Sequence, residues 1–171
     1  GGLLFLPHFA GRVCPNDGNV RGAYIGLNLS HKRGHLFRAA MGGIGYEYAM
    51  YMEIIKERVP GVNPDRVLTV GGGAKSQLMR SIKSDILGIP VSTISRTDTG
   101  VLGMAIIAGY AVGLFASLTE TVSRFVETVS ETKPNAAAHA AYLPYKDIYR
   151  ASFKQLDPVF RQLAAAVARS K

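Results

Sequence analysis

Three consecutive glycines, Gly71, Gly72 and Gly73, followed by Ala74, Lys75, Ser76 and Gln77, are the residues best placed to do chemistry. A bend without β-carbons lets a ligand lie directly against the backbone. Before it, Val67, Leu68 and Val70 form an apolar run after Pro64-Asp65, which predicts a buried strand. After it, Leu78, Ile82 and Ile86 recur every four residues. That predicts a helix from Ala74, with Lys75, Arg80, Lys83 and Asp85 on its other faces. A helix start presents unpaired N–H groups and partial positive charge, which suits an anion such as phosphate. The spacing is not that of a Walker A loop: Thr69 occupies the first glycine position and Ala74 precedes Lys75. Nor is it a dinucleotide fingerprint, because Ser76 replaces the third glycine after Gly71 and Gly73. On these residues alone two readings stand, a phosphate-cradling bend and a tight strand-to-helix turn without a ligand.

Other reactive side chains are better explained structurally. Phosphoryl transfer to a hydroxyl wants a carboxylate within hydrogen-bond reach of the attacking oxygen. Asp98 reads as a helix cap, Asp85 as helix surface, and Glu47 and Glu53 as the wet face of a long helix. No catalytic residue is therefore assigned. His31 and His35 are four apart, a spacing two metal ligands on one helix face could share, but no third ligand is evident. No metal site is expected from the protein's own ligands. His31 reads as structural, and Cys14 has no base beside it.

The elements that must position the bend follow from apolar spacing. Residues 3–9 and Ala23–Leu29 read as strand-like runs separated by a turn-rich loop, and Ser30-His31 reads as a helix entry. Phe37, Met41, Ile44, Tyr48, Tyr51 and Ile55 mark a long helix to about Arg58. Gly42, Gly43 and Gly45 interrupt it. Either another backbone packs closely there or the helix is weakened, since each glycine costs up to about 1 kcal/mol against alanine. Val91–Ser95 predicts a further strand, then Thr97-Asp98-Thr99 caps a helix to about Phe115. That helix is apolar nearly all round and should be buried. Ser117 and Glu120 form a capping box for a short helix. Residues 130–141 read as a loop, and a last helical region spans about Tyr145–Arg169, kinked or divided at Pro158. The alternation argues an α/β domain with helices on both faces of a sheet. Three or four strands are few for so much helix, a hint that part of the sheet lies outside this chain.

The chain has 171 residues, a net charge of +8 and 47% hydrophobic residues, which describe one globular domain. The basic residues are scattered and not interleaved with aromatics, so nucleic acid is not expected as a partner. Val101–Phe115 is too short and glycine-interrupted to span a membrane, and no membrane partner is expected. The first residues lack the basic start of a signal peptide, and the single cysteine suits the cytoplasm, the expected location.

Taken together, the ordered pieces resemble the C-terminal domain of the FGGY family of carbohydrate kinases, closest to its xylulokinase-like members. They are Gly2-Leu-Leu-Phe-Leu-Pro7, Arg21-Gly-Ala-Tyr-Ile-Gly-Leu27, His31 with Arg38-Ala39, and Gly71-Gly-Gly-Ala-Lys-Ser76. Asp85-Ile-Leu-Gly-Ile-Pro-Val91, Gly103-Met-Ala105 and the tail tyrosines Tyr142, Tyr145 and Tyr149 follow. The resemblance implies a ribonuclease H-like, actin-like ATPase domain with a mixed sheet, missing its first strands. It implies that the whole of 1–171 is this one domain and that ATP, with Mg²⁺, lies against Gly71, Gly72, Gly73 and Ala74. Gln77 would approach the adenosine, and Lys75 is expected to point to solvent. The sugar, such as xylulose, and the Asp that deprotonates its hydroxyl would belong to an N-terminal domain that this chain lacks. The family's Asp-x-Gly-Thr loop is absent, and its Gly-Thr hairpin should lie before residue 1. Gly42 stands where the family usually has Glu, Gly18 where Pro is common, and Met79 where an aromatic is frequent. The function implied is the nucleotide-binding half of a sugar kinase, inactive alone. The alternative is a non-catalytic half-kinase serving as a folding or association module, as a homodimer or with a complementary chain.

Overall fold

The computed structural model describes residues 1–96 and 98–169. Strands β1 (Leu4–Leu6) and β2 (Ala23–Ile25) pair antiparallel, with Leu4 opposite Ile25. Helix α1 (Arg33–Arg58) follows, then β3 (Val67–Thr69), a 3₁₀ turn (Gly72–Lys75) and α2 (Gln77–Leu87). Strand β4 (Val91–Ile94) lies parallel to β3, and β5 (Thr128–Thr132) pairs antiparallel on its other side. Between them stand α3 (Thr99–Ala111) and α4 (Leu118–Phe125), and α5 (Ala136–Arg169) closes the chain. The three-stranded sheet is thus mixed, as expected.

The core is built where α1, α2 and α5 meet β1. Leu4, Leu6, Met41, Tyr46, Ile82, Ile86, Tyr149 and Phe160 are buried there together. The glycines of α1 resolve into two roles. A β-carbon at Gly43 would collide with the Phe5 carbonyl oxygen, and one at Gly45 would stand 2.6 Å from Ile86 Cδ1. Close approach of β1 therefore requires Gly43, whereas a β-carbon at Gly45 would make the end of the Ile86 side chain shift. Gly42 meets nothing nearer than Tyr46 Cε2 at 3.7 Å and Arg38 Nη1 at 3.8 Å, so packing does not demand a glycine there.

Several elements differ from expectation. The α2 helix begins at Gln77, not Ala74, because Ser76 is extended and its hydroxyl accepts the Met79 N–H at 3.2 Å. The backbone before it is a separate 3₁₀ turn. Lys83, expected on an outer face, is buried, its ammonium 4.2 Å above the Tyr48 ring. In β3, Val67 and Thr69 are buried, but Leu68 and the adjoining Val70 are exposed, so only one face is covered. The expected loop at 130–141 is half strand and half helix. Asn135 caps α5 through its side-chain oxygen, which accepts the Ala138 N–H, and its own N–H donates to Asp85 Oδ1. Alanines 136–138 then propagate the helix, their strongest preference. Asp85 is thereby more than helix surface. Helix α5 runs through Pro144 and Pro158, so Pro158 does not divide it. Asp98 precedes α3 but makes no capping hydrogen bond with its side chain, and Thr97 lies outside the described residues. Within α3 only Ile106 and Gly109 are buried, whereas Val101 is 74% and Met104 69% exposed. The apolar helix that composition placed inside is on the surface of this chain.

Candidate functional site at the glycine bend

Strands β3 and β4 are parallel, so their C-terminal ends open on the same edge of the sheet. There a cavity of about 150 Å³ is lined by Gly71, Ala74, Lys75, Arg80, Thr93 and Arg96, among others. Gly71 has φ 78 and ψ −169, a conformation that only glycine adopts without strain. It turns the chain out of β3 and starts the 3₁₀ turn, whose Ala74 N–H donates to the Gly71 carbonyl at 3.1 Å. Ala74 is buried and anchors the turn, while Gly72 and Gly73 are exposed. A β-carbon at either glycine would meet no protein atom within 4 Å, so their bare backbone faces open space. Gln77 is exposed at the first position of α2. The structure thus brings Gly71 and Ala74 to the cavity wall and sets Gly72, Gly73 and Gln77 along the same short stretch.

Three cations converge on this cavity. Lys75 is exposed, as expected, yet it also borders the cavity. Arg80 is half-buried, and its guanidinium donates to the Ala74 carbonyl, tying α2 to the turn. Its Nε is buried and has no hydrogen-bond partner among the described residues. Among the described residues no carboxylate lines the cavity. An unpaired buried donor is costly, and an acceptor-rich ligand would relieve it. Backbone N–H groups, two guanidinium groups and an ammonium, with no competing carboxylate among the described residues, are donors chemically suited to anionic oxygens. Sequence reasoning found the bend and missed Arg80, Arg96 and Thr93. The available signal was topological: ligands of open α/β sheets bind outside the carboxyl ends of parallel strands, and Arg96 follows β4 directly.

The carboxylate most altered by its surroundings lies elsewhere. Glu47, expected on the wet face of α1, is 5% exposed. It sits one turn beyond Gly43, on the face that packs against β1 and the segment after it. His8 Nε2 lies 3.2 Å from its Oε1 and Arg12 Nε 3.7 Å from its Oε2. The Tyr149 hydroxyl donates to Oε1 at 2.9 Å. Burial alone would raise the Glu47 carboxyl, but the His8 contact, the Arg12 charge and the Tyr149 hydroxyl outweigh it and hold it below the ordinary carboxylate range. Burial and the neighbouring carboxylate push the Tyr149 phenol well up. Phe153 seals the cluster, with the Arg12 guanidinium 4.4 Å over its ring. This is a structural clasp between α1, α5 and the loop after β1. Glu53, by contrast, is on the wet face as expected, bridged to Lys146 at 3.3 Å and Arg150 at 2.6 Å. His31 and His35 serve the α1 entry, accepting the Asn28 and Lys32 N–H groups at 3.0 Å each. Among the described residues no group of three or more His, Cys, Asp or Glu is arranged to hold a metal, and no helix is long and apolar enough to cross a membrane.

Comparison with known proteins identifies the fold and the family. The chain is 32% identical over 155 residues to a xylulose kinase of Staphylococcus epidermidis, covering 90% of this chain and 31% of that protein. It is 32% identical over 159 residues to a xylulose kinase of Escherichia coli, covering 92% and 32%. Among solved structures, the ligand-bound xylulose kinase of Lactobacillus acidophilus superposes with a TM-score of 0.82 at 26% identity, over 94% of this chain and 32% of that one. The actin-like ATPase fold implied by the sequence is therefore the fold of its structural neighbours. The chain spans about a third of the length of these relatives. The model of the FGGY family of carbohydrate kinases, C-terminal domain, matches residues 1–112, and the chain belongs to that family.

Proposed function

We propose that the Gly71–Gln77 bend seats ATP with its Mg²⁺ and that this chain is the nucleotide-holding part of a sugar kinase. The observation that carries the reading is the bare turn at Gly71–Ala74 opening on a cavity bordered by Lys75, Arg80 and Arg96. When bound, ATP supplies the phosphoryl group that passes to a sugar hydroxyl, that of a xylulose-like ketose by similarity to the relatives. The chain's own residues bind and orient. The N–H groups of the turn and the Arg80 and Arg96 guanidinium groups offset phosphate charge, and Gln77 approaches the adenosine. Among the described residues no carboxylate borders the cavity to accept the hydroxyl proton. We assign the base and the sugar to the family's N-terminal domain, and cytoplasmic work to the assembled enzyme.

The test is thermal melting with MgATP. A ligand of the native state at a hundredfold its Kd stabilises by about 2.7 kcal/mol. For a chain of this size that raises Tm by about 5–11 °C. Gly73→Phe should abolish the rise with little change in the melting of the free protein, because a β-carbon there meets no protein atom within 4 Å. No rise at saturating nucleotide overturns the reading. Purified protein given MgATP and xylulose should show no turnover, and measurable turnover would show that the base lies within this chain. The association-module reading draws on a different observation, the exposed apolar residues Val101, Met104 and Ile107 of α3 and, on β3 and just after it, Leu68 and Val70. A monodisperse monomer without nucleotide binding would leave neither reading standing.

A further inference from the structure

A second cavity, of about 200 Å³, shares no lining residue with the first. One water needs roughly 10–15 Å³ by this measure, so the space takes a ligand of many atoms. Its walls are the backbone of residues 1–4, the first turns of α1 and the tyrosines of α5. Gly42 leaves the floor without a side chain. Arg38 is half-buried in one wall. Its guanidinium donates to the Tyr142 hydroxyl and lies 5.6 Å from the centre of that ring. No ion pair joins it among the described residues. The acidic group that acts on it is Asp85, at longer range, and that carboxylate already accepts the Asn135 N–H. Tyr46 and Tyr145 line the same space, and neither hydroxyl makes a hydrogen bond among the described residues. His35 accepts the Lys32 N–H at Nδ1, so in its neutral form Nε2 carries the proton and is a further donor.

We propose that this cavity binds a small aryl carboxylate, its carboxylate on the Arg38 guanidinium and its ring among Tyr46, Tyr142 and Tyr145. A planar guanidinium matches a carboxylate through two parallel hydrogen bonds. One permanent cation balances a monoanion better than a phosphate dianion. Tyrosine rings, Leu4 and Ala39 present apolar surface that a bare inorganic ion cannot use. The Tyr46 and Tyr145 hydroxyls remain available for a second polar group on the ring.

The probe is benzoate, titrated into the protein by isothermal calorimetry, with inorganic phosphate as the competing arm. Saturable benzoate binding with a Kd on the order of 1 mM is expected. Phosphate should bind at least tenfold more weakly. Arg38→Met should weaken benzoate at least tenfold. Gly42→Glu is the second variant, since its β-carbon would stand 3.8 Å from Arg38 Nη1, and a carboxylate on that side chain would supply an internal counter-ion. It should weaken benzoate similarly while leaving the MgATP-induced melting shift unchanged. Absence of saturable benzoate binding overturns the proposal. So does tighter binding of phosphate, or benzoate binding that Gly42→Glu leaves intact. None of these outcomes bears on the nucleotide reading, which rests on other residues.

Discussion

Replacing Glu47 by Gln keeps the size of the side chain and removes its charge. In the folded protein Arg12 is buried and its ion-pair partner is Glu47, at 3.7 Å. The variant would leave that guanidinium without its counter-ion, beside a neutral amide, the Phe153 ring at 4.4 Å and the Met50 sulfur at 3.5 Å. Breaking one side of a buried pair costs about 3–5 kcal/mol, because the remaining charge stays desolvated. Out of a total stability of about 5–15 kcal/mol, that is a large share. Tm should fall by about 6–20 °C. Tyr149→Phe removes one hydrogen bond to the same carboxylate and should cost less, about 1.5–3 kcal/mol. The double variant Glu47→Gln with Arg12→Met removes both charges and should be more stable than Glu47→Gln alone. Urea denaturation of the parent, the single variants Glu47→Gln and Arg12→Met, and their double closes the cycle. A Glu47→Gln variant within about 0.5 kcal/mol of the parent, as for a surface residue, would refute the buried clasp.

Further outcomes follow from the same contacts. Because the folded Glu47 carboxyl lies below its ordinary value, its contribution is complete above the unfolded carboxylate pKa of about 4.3. It is lost as pH falls through the lower folded value, and acid titration of Glu47→Gln should lack that part of the transition. Tyr46 behaves oppositely. Burial pushes its phenol up to about 12, so its contribution is intact below the ordinary tyrosine pKa near 10 and is lost as pH rises toward the folded value. Alkaline melting of Tyr46→Phe should show a smaller loss over that interval. The glycines of α1 should separate. Gly42→Ala should stabilise by about 0.5–1 kcal/mol through helix propensity, whereas Gly43→Ala should destabilise by about 1–3 kcal/mol or more through collision with Phe5. Urea midpoints of the two variants moving in the same direction would contradict this assignment.

The bend was legible because three glycines after an apolar run have few other uses, and the parent strand and following helix both lie where the spacing placed them. Its exact helix start was not, since the extended backbone of Ser76 is decided by a local cap that competes with propagation from Ala74. Strand β5 carries no apolar alternation because it is an edge, paired only to β4 and largely exposed. The first turns of α5 escaped because alanines give no amphipathic stripe and Pro134 suggested a loop. Glu47 was misplaced for a different reason. Its partners come from His8, Arg12 and Tyr149, the last 102 residues away, and a glutamate on a long helix reads as wet until those partners are located. The same holds in reverse for α3, whose apolar composition signals contact with something while the covering surface is not among the described elements.

The most direct test of the nucleotide seat is a crystal structure of the protein soaked with MgADP. The account predicts nucleotide density along Gly71–Gln77, with the phosphates toward Lys75, Arg80 and Arg96 and the adenosine beside Gln77. Density at another surface, or a bare bend at saturating nucleotide, would contradict it.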